Sequence, residues 1–107
     1  MNLIDPRVDA YAEAHTTPSG ELFQRLAAET HEKTTAPQMM VGEVEGRFLE
    51  FLVRSTGARR VLELGTFTGY SSISMARGLL EGARIISATP TESGSGCAMW
   101  CASFEAP

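Results

Sequence analysis

The residues with chemical potential in this 107-residue chain are concentrated in one run, Val61-Leu62-Glu63-Leu64-Gly65-Thr66-Phe67-Thr68-Gly69-Tyr70-Ser71-Ser72. An apolar segment runs into a glycine-bearing turn, an acid stands two residues before the first glycine, and hydroxyl residues follow the second. In a parallel α/β domain such a turn lies at the carboxyl end of the first strand, where ligands bind, and glycine lets the backbone approach a ligand with no Cβ in the way. A dinucleotide fingerprint needs G-x-G-x-x-G, whose middle glycine and helix N-terminus receive a pyrophosphate. Here the spacing is Gly65-x-x-x-Gly69 with Glu63 ahead of it. This pattern suits a ligand with no diphosphate and many hydroxyl or ammonium donors.

The elements that must hold this turn are readable around it. Pro6 to Ala14 is predicted as a short helix, and Thr17-Pro18-Ser19-Gly20-Glu21 as the entry to a second, with Leu22, Phe23, Leu26, Ala27 and Thr30 on one face. A third helix is expected from about Glu43, with Val44, Phe48, Phe51 and Leu52 sharing a face and Gly57 just past its end. Arg60–Leu64 then reads as a strand, Tyr70–Leu80 as a helix with Ile73, Ala76, Leu79 and Leu80 inward, and Arg84–Ala88 as a second strand. Strand, helix, strand is one right-handed βαβ unit of a parallel sheet. After Ala88 the pattern stops: residues 89–107 are expected to be an irregular, disordered tail, while residues 1–88 form the organised part. Cys97 and Cys101 lack a second ligand pair for zinc and read as two free thiols.

Composition excludes several classes. The net charge of −4 and the scattered Lys and Arg argue against nucleic acid. No apolar run approaches the ~20 residues that span a bilayer, and the first residues have neither the basic start nor the apolar core of a signal peptide, so no membrane partner and a cytoplasmic location are expected. Met39 and Met40 read as adaptable core filling, and Phe48, Phe51 and Phe67 as packing residues.

S-adenosyl-L-methionine matches the ligand that the turn asks for. Pro37 to Gly42 (PQMMVG) together with Val61 to Ser72 (VLELGTFTGYSS), at their spacing, resembles the opening half of the small cation-dependent class I O-methyltransferases, the group of the caffeoyl-CoA and catechol O-methyltransferases. The resemblance covers about residues 1–88. It implies an α/β, Rossmann-like class I methyltransferase fold, cut short after the first βαβ unit and preceded by N-terminal helices. It further implies that Glu63 and Gly65 line the methionine end of the cofactor, that Thr66 and Ser71 add backbone or hydroxyl contacts, and that Val41 lies against the same pocket. Such enzymes transfer a methyl group to a hydroxyl of a small catechol- or caffeoyl-like acceptor, with a divalent cation, usually Mg²⁺, polarising a diol. Three departures stand beside the match. The second strand of the family ends in an acid, where this chain has Thr89. The resemblance implies that the family's metal-binding carboxylates and amide come from later strands, and that the lysine associated with catalysis in part of the family lies in that same later half, beyond the residues matched here. The chain therefore reads as a truncated or frame-slipped methyltransferase that is expected to carry out the transfer poorly by itself. Alternatives are a catalytically dead fragment that binds cofactor weakly or pairs with an intact subunit, and a nucleotide-binding Rossmann fragment. Family members are often dimers, and the N-terminal helices could serve a homodimer contact.

Overall fold

The computed structural model describes residues 4–90 and 99–105. Helix α1 (Pro6–Ala14) has proline in its first turn, and the Asp5 side chain accepts from the Arg7 backbone N–H at its start. Helix α2 (Glu21–Lys33) buries Phe23 and Thr30. A single 3₁₀ turn at Pro37–Met39 leads to α3 (Gly42–Thr56), which ends at Gly57 in the left-handed conformation. Strand β1 (Arg60–Leu64), helix α4 (Tyr70–Gly78) and strand β2 (Arg84–Pro90) form the expected βαβ unit. β1 and β2 pair in parallel, with Glu63 opposite Ser87 and Leu64 opposite Ala88.

Helices α3 and α4 cover one face of this sheet by approaching each other very closely. A Cβ on Gly46 would stand 2.7 Å from Ser74 Oγ, and one on Gly78 would stand 2.4 Å from the Glu50 carbonyl oxygen. Val53, Leu79, Ala83 and Ile85 make the core beneath that contact. Two arginines strap the segment between α1 and α2 onto this layer. Arg47 donates to the Thr17 carbonyl at 2.9 Å, and Arg77 donates to the Ser19 carbonyl at 2.8 Å while lying over the Phe23 ring.

The structure corrects three expectations. α4 stops at Gly78 and not at Leu80, because Leu79 turns into extended backbone to join the core while Leu80 is exposed. The face of α3 expected to point inward stays out, with Phe48 56% and Phe51 63% exposed. The helix packs instead through Gly46 and Val53, since only side chains that small admit α4 at this distance. The irregular tail expected over residues 89–107 is replaced, where the structure describes it, by the end of β2 and by strand β3 (Met99–Glu105), which pairs antiparallel to β2 in the order β1-β2-β3. The aromatic-containing run Met99-Trp100-Cys101-Ala102-Ser103-Phe104 has strand-forming residues without a clear two-residue alternation, so the free edge of β2 supplies what periodicity could not signal. Residues 91–98, with Cys97, and 106–107 lie outside the described residues.

The other sheet face is uncovered among the described residues: Leu62 is 67% and Leu64 74% exposed. No helix is long and apolar enough to cross a membrane among the described residues.

Candidate functional site

The connection from β1 to α4 is built on positive φ angles, with Gly65 at 96°, Phe67 at 48° and Gly69 at 89°. Glycine takes these values freely, whereas for Phe67 the left-handed conformation costs about 1–2 kcal/mol. Strain of this kind persists only where the surroundings hold it, and it concentrates at ligand-binding turns. Here the Gly65 N–H donates to the Ala88 carbonyl at 2.7 Å, tying the turn to the end of β2, and the Gly69 N–H donates to the Thr66 carbonyl at 2.9 Å.

This turn faces the Met39–Val41 segment across a small cleft of about 70 Å³, lined by Met39, Met40, Val41, Gly65, Thr66, Phe67, Thr68, Tyr70 and Ser71. Four of the five site residues expected from the sequence, Val41, Gly65, Thr66 and Ser71, thus come together. The fifth, Glu63, is not part of the lining. Its carboxylate lies beside the turn and accepts from three hydroxyls: Ser71 Oγ on Oε1, and Ser72 Oγ and Ser87 Oγ on Oε2. Ser87 Oγ also lies 2.7 Å from Thr66 Oγ1 and 3.1 Å from Ser72 Oγ. Ser72 and Ser87 are fully buried. No buried side-chain polar atom lacks a partner among the described residues.

The serines have a second consequence at the start of α4. The cap position of α4 is held by Gly69, which has no side chain, and Ser71 and Ser72 within the first turn give their hydroxyls to Glu63, so no side chain caps the helix. The first-turn N–H groups of a helix have no partner within it and carry the positive end of its dipole, so an anionic group is favoured there. A carboxylate acceptor and a helix N-terminus therefore meet at one turn. Tyr70 closes the back of the cleft, edge-on to Phe23 at 4.8 Å between ring centroids. Burial pushes its phenol above the ordinary range, partly offset by a hydrogen bond with Ser19.

Sequence reasoning passed over several participants. Met39, taken as core filling, is 66% exposed and lines the cleft with Met40. Phe67, taken as packing, lines it too. Thr68 is anchored from α2 by Thr30, whose hydroxyl lies 3.0 Å from that of Thr68. Ser72 and Ser87 had a legible signal, a hydroxyl at the start of an inward-facing helix and another directly after the apolar pair Ile85-Ile86 in a strand. Thr89, where the resemblance expects an acid, is half-buried in β2. Among the described residues no three His, Cys, Asp or Glu side chains converge to hold a metal. A groove of about 500 Å³ over α3, lined by Arg47, Phe48, Phe51 and Arg54 among others, shares no residue with the turn.

Comparison with known proteins agrees with this geometry. The O-methyltransferase family matches residues 13–96, which extends beyond residue 88. The chain is 40% identical over 72 residues to the O-methyltransferase ankF of Aspergillus thermomutatus, covering 67% of this chain and 30% of that protein. It is 44% identical over 50 residues to a catechol O-methyltransferase of Niastella koreensis, covering 47% of this chain and 23% of that protein. Its fold superposes with a TM-score of 0.71 on an O-methyltransferase from Bacillus cereus in complex with SAH, at 34% identity over 80% of this chain and 39% of that one. The chain thus spans well under half the length of these proteins. Helices followed by a parallel β1-α4-β2 unit, a glycine turn with an acid before it, and a family match over most of the residues lead to one conclusion: the chain belongs to the O-methyltransferase family.

Proposed function

We propose that this chain binds S-adenosyl-L-methionine at the turn between β1 and α4, as part of an O-methyltransferase that acts on a hydroxyl of a small catechol- or caffeoyl-like acceptor. The observation that carries the reading is the pairing of Glu63, fixed beside the turn, with the uncapped N-terminus of α4. The methionine end of the donor is a zwitterion. Its ammonium suits the remaining acceptor capacity of Glu63, and its carboxylate suits the first-turn N–H groups of α4. Gly65 admits the ligand close to the backbone, while Val41, Thr66 and Ser71 line the wall around it. The cleft lies far below the roughly 300–1,000 Å³ of complete ligand pockets, so it suits one end of such a molecule. The relation to a family member in complex with SAH supports the same assignment.

When bound, the donor supplies an electrophilic methyl group on a sulfonium, which an acceptor oxygen can displace. The contribution of these residues is to hold and orient the donor. No side-chain set among the described residues suits a divalent cation, so no step through one is assigned to them.

Calorimetric titration with S-adenosylhomocysteine tests the reading. The folded parent chain is expected to bind, and Glu63→Ala to weaken binding at least about tenfold, the scale of one lost charge-assisted hydrogen bond. A folded parent that does not bind overturns the reading.

A further inference from the structure

We propose that Ser72 and Ser87, neither of which lines the cleft, are positioning residues that hold the Glu63 carboxylate in the orientation the methyl donor requires; this rests on the cofactor reading above.

The donor count at Glu63 gives the direction of every proton. An ionised carboxylate only accepts hydrogen bonds and has about four lone-pair sites. Two sites on Oε2 are taken by Ser72 Oγ and Ser87 Oγ, and one on Oε1 by Ser71 Oγ. Ser71, the donor to Oε1, also lines the cleft, and Oε1 keeps one acceptor site that none of these hydroxyls fills. Ser87 has one hydroxyl proton and gives it to Oε2, so the 2.7 Å contact with Thr66 Oγ1 must have Thr66 as donor. A directed chain results, from Thr66 in the turn to Ser87 on β2 to Glu63 on β1.

This chain depends on strand register. Parallel pairing places Glu63 directly opposite Ser87; a slip by one residue would bring Ile86 or Ala88 there, and neither has a hydroxyl. The two serines thus let α4 and β2 together fix an acid on β1 without lining the cleft themselves. A glutamate side chain loses rotamer freedom when it is ordered. The serine hydroxyls meet that cost before the ligand arrives, which is how preorganisation raises affinity. Charge-assisted hydrogen bonds are suited to this because they are about twice as strong as neutral ones.

The test is a double-mutant cycle read by calorimetric titration with S-adenosylhomocysteine, with thermal unfolding of each variant followed in parallel. Ser72→Ala and Ser87→Ala are each expected to raise Kd about three- to tenfold, and the same changes made together with Glu63→Gln to add less than about twofold. A residue that merely supports the fold would lower stability in both backgrounds and would not make its effect on Kd depend on Glu63. If Ser87→Ala does not fold, Ser72→Ala carries the test, since alanine is favourable in helix α4. Parent binding that Ser72→Ala and any folded Ser87→Ala leave unchanged, or losses of equal size in the two backgrounds, overturns the positioning role while leaving the cofactor reading intact. A parent chain that does not bind S-adenosylhomocysteine overturns both.

Discussion

Gly78→Ala is the most direct probe of the frame that carries the site. The added Cβ would stand 2.4 Å from the Glu50 carbonyl oxygen and 3.1 Å from Val53 Cβ, against an ordinary non-bonded separation of roughly 3.5 Å. A carbonyl in the middle of α3 cannot rotate away as a side chain would, so α4 must move off α3 by about 1 Å. Two effects then compete. Alanine gains about 1 kcal/mol over glycine in a helix, and overpacking of a tight interface costs about 3 kcal/mol when backbone must shift. The second wins by about 2 kcal/mol, which for a chain of this size lowers Tm by about 8–16 °C. Because the start of α4 carries Tyr70, Ser71 and Ser72, binding of S-adenosylhomocysteine should weaken as well. Thermal unfolding followed by circular dichroism reads the first effect, and calorimetry the second. A variant at least as stable as the parent would show that the overpacking cost is small or absent and that the α3–α4 contact is not as close as described.

Two further outcomes follow from the turn and its neighbours. Phe67 holds φ at 48°, a region asparagine tolerates better, so Phe67→Asn should raise stability by about 0.5–1 kcal/mol while reducing affinity for the ligand, measured by thermal unfolding and by titration. The Tyr70 phenol has its pKa raised by burial, so the folded state favours the neutral form. Its stabilising contribution is present below about pH 10, the unfolded value, and is lost as pH climbs through the higher folded value. Tyr70→Phe, which keeps the edge-on contact with Phe23, should flatten the fall in Tm between neutral and strongly alkaline pH; an unchanged slope would refute the assignment.

Local order along this chain was legible because it rests on near-neighbour chemistry. Pro6, Gly57 and the apolar runs at 60–64 and 84–88 mark helix ends and strands through backbone preferences that operate within a few residues. The strand-turn-helix motif likewise brought Gly65, Thr66 and Ser71 together from sequence, since turn geometry alone sets their proximity. What tertiary structure decided is which faces meet. The apolar stripe of Phe48 and Phe51 made the more obvious interface, yet α3 packs through Gly46 and Val53, because the fit of two helices depends on how close their backbones can come and hydropathy carries no such information. β3 pairs with β2 through main-chain groups that every residue possesses, so its sequence gave little notice of it. The surroundings of Glu63 are a matter of register: its acid was visible at position 63, but its bond with Ser87, 24 residues away, exists only because two parallel strands align at that pair.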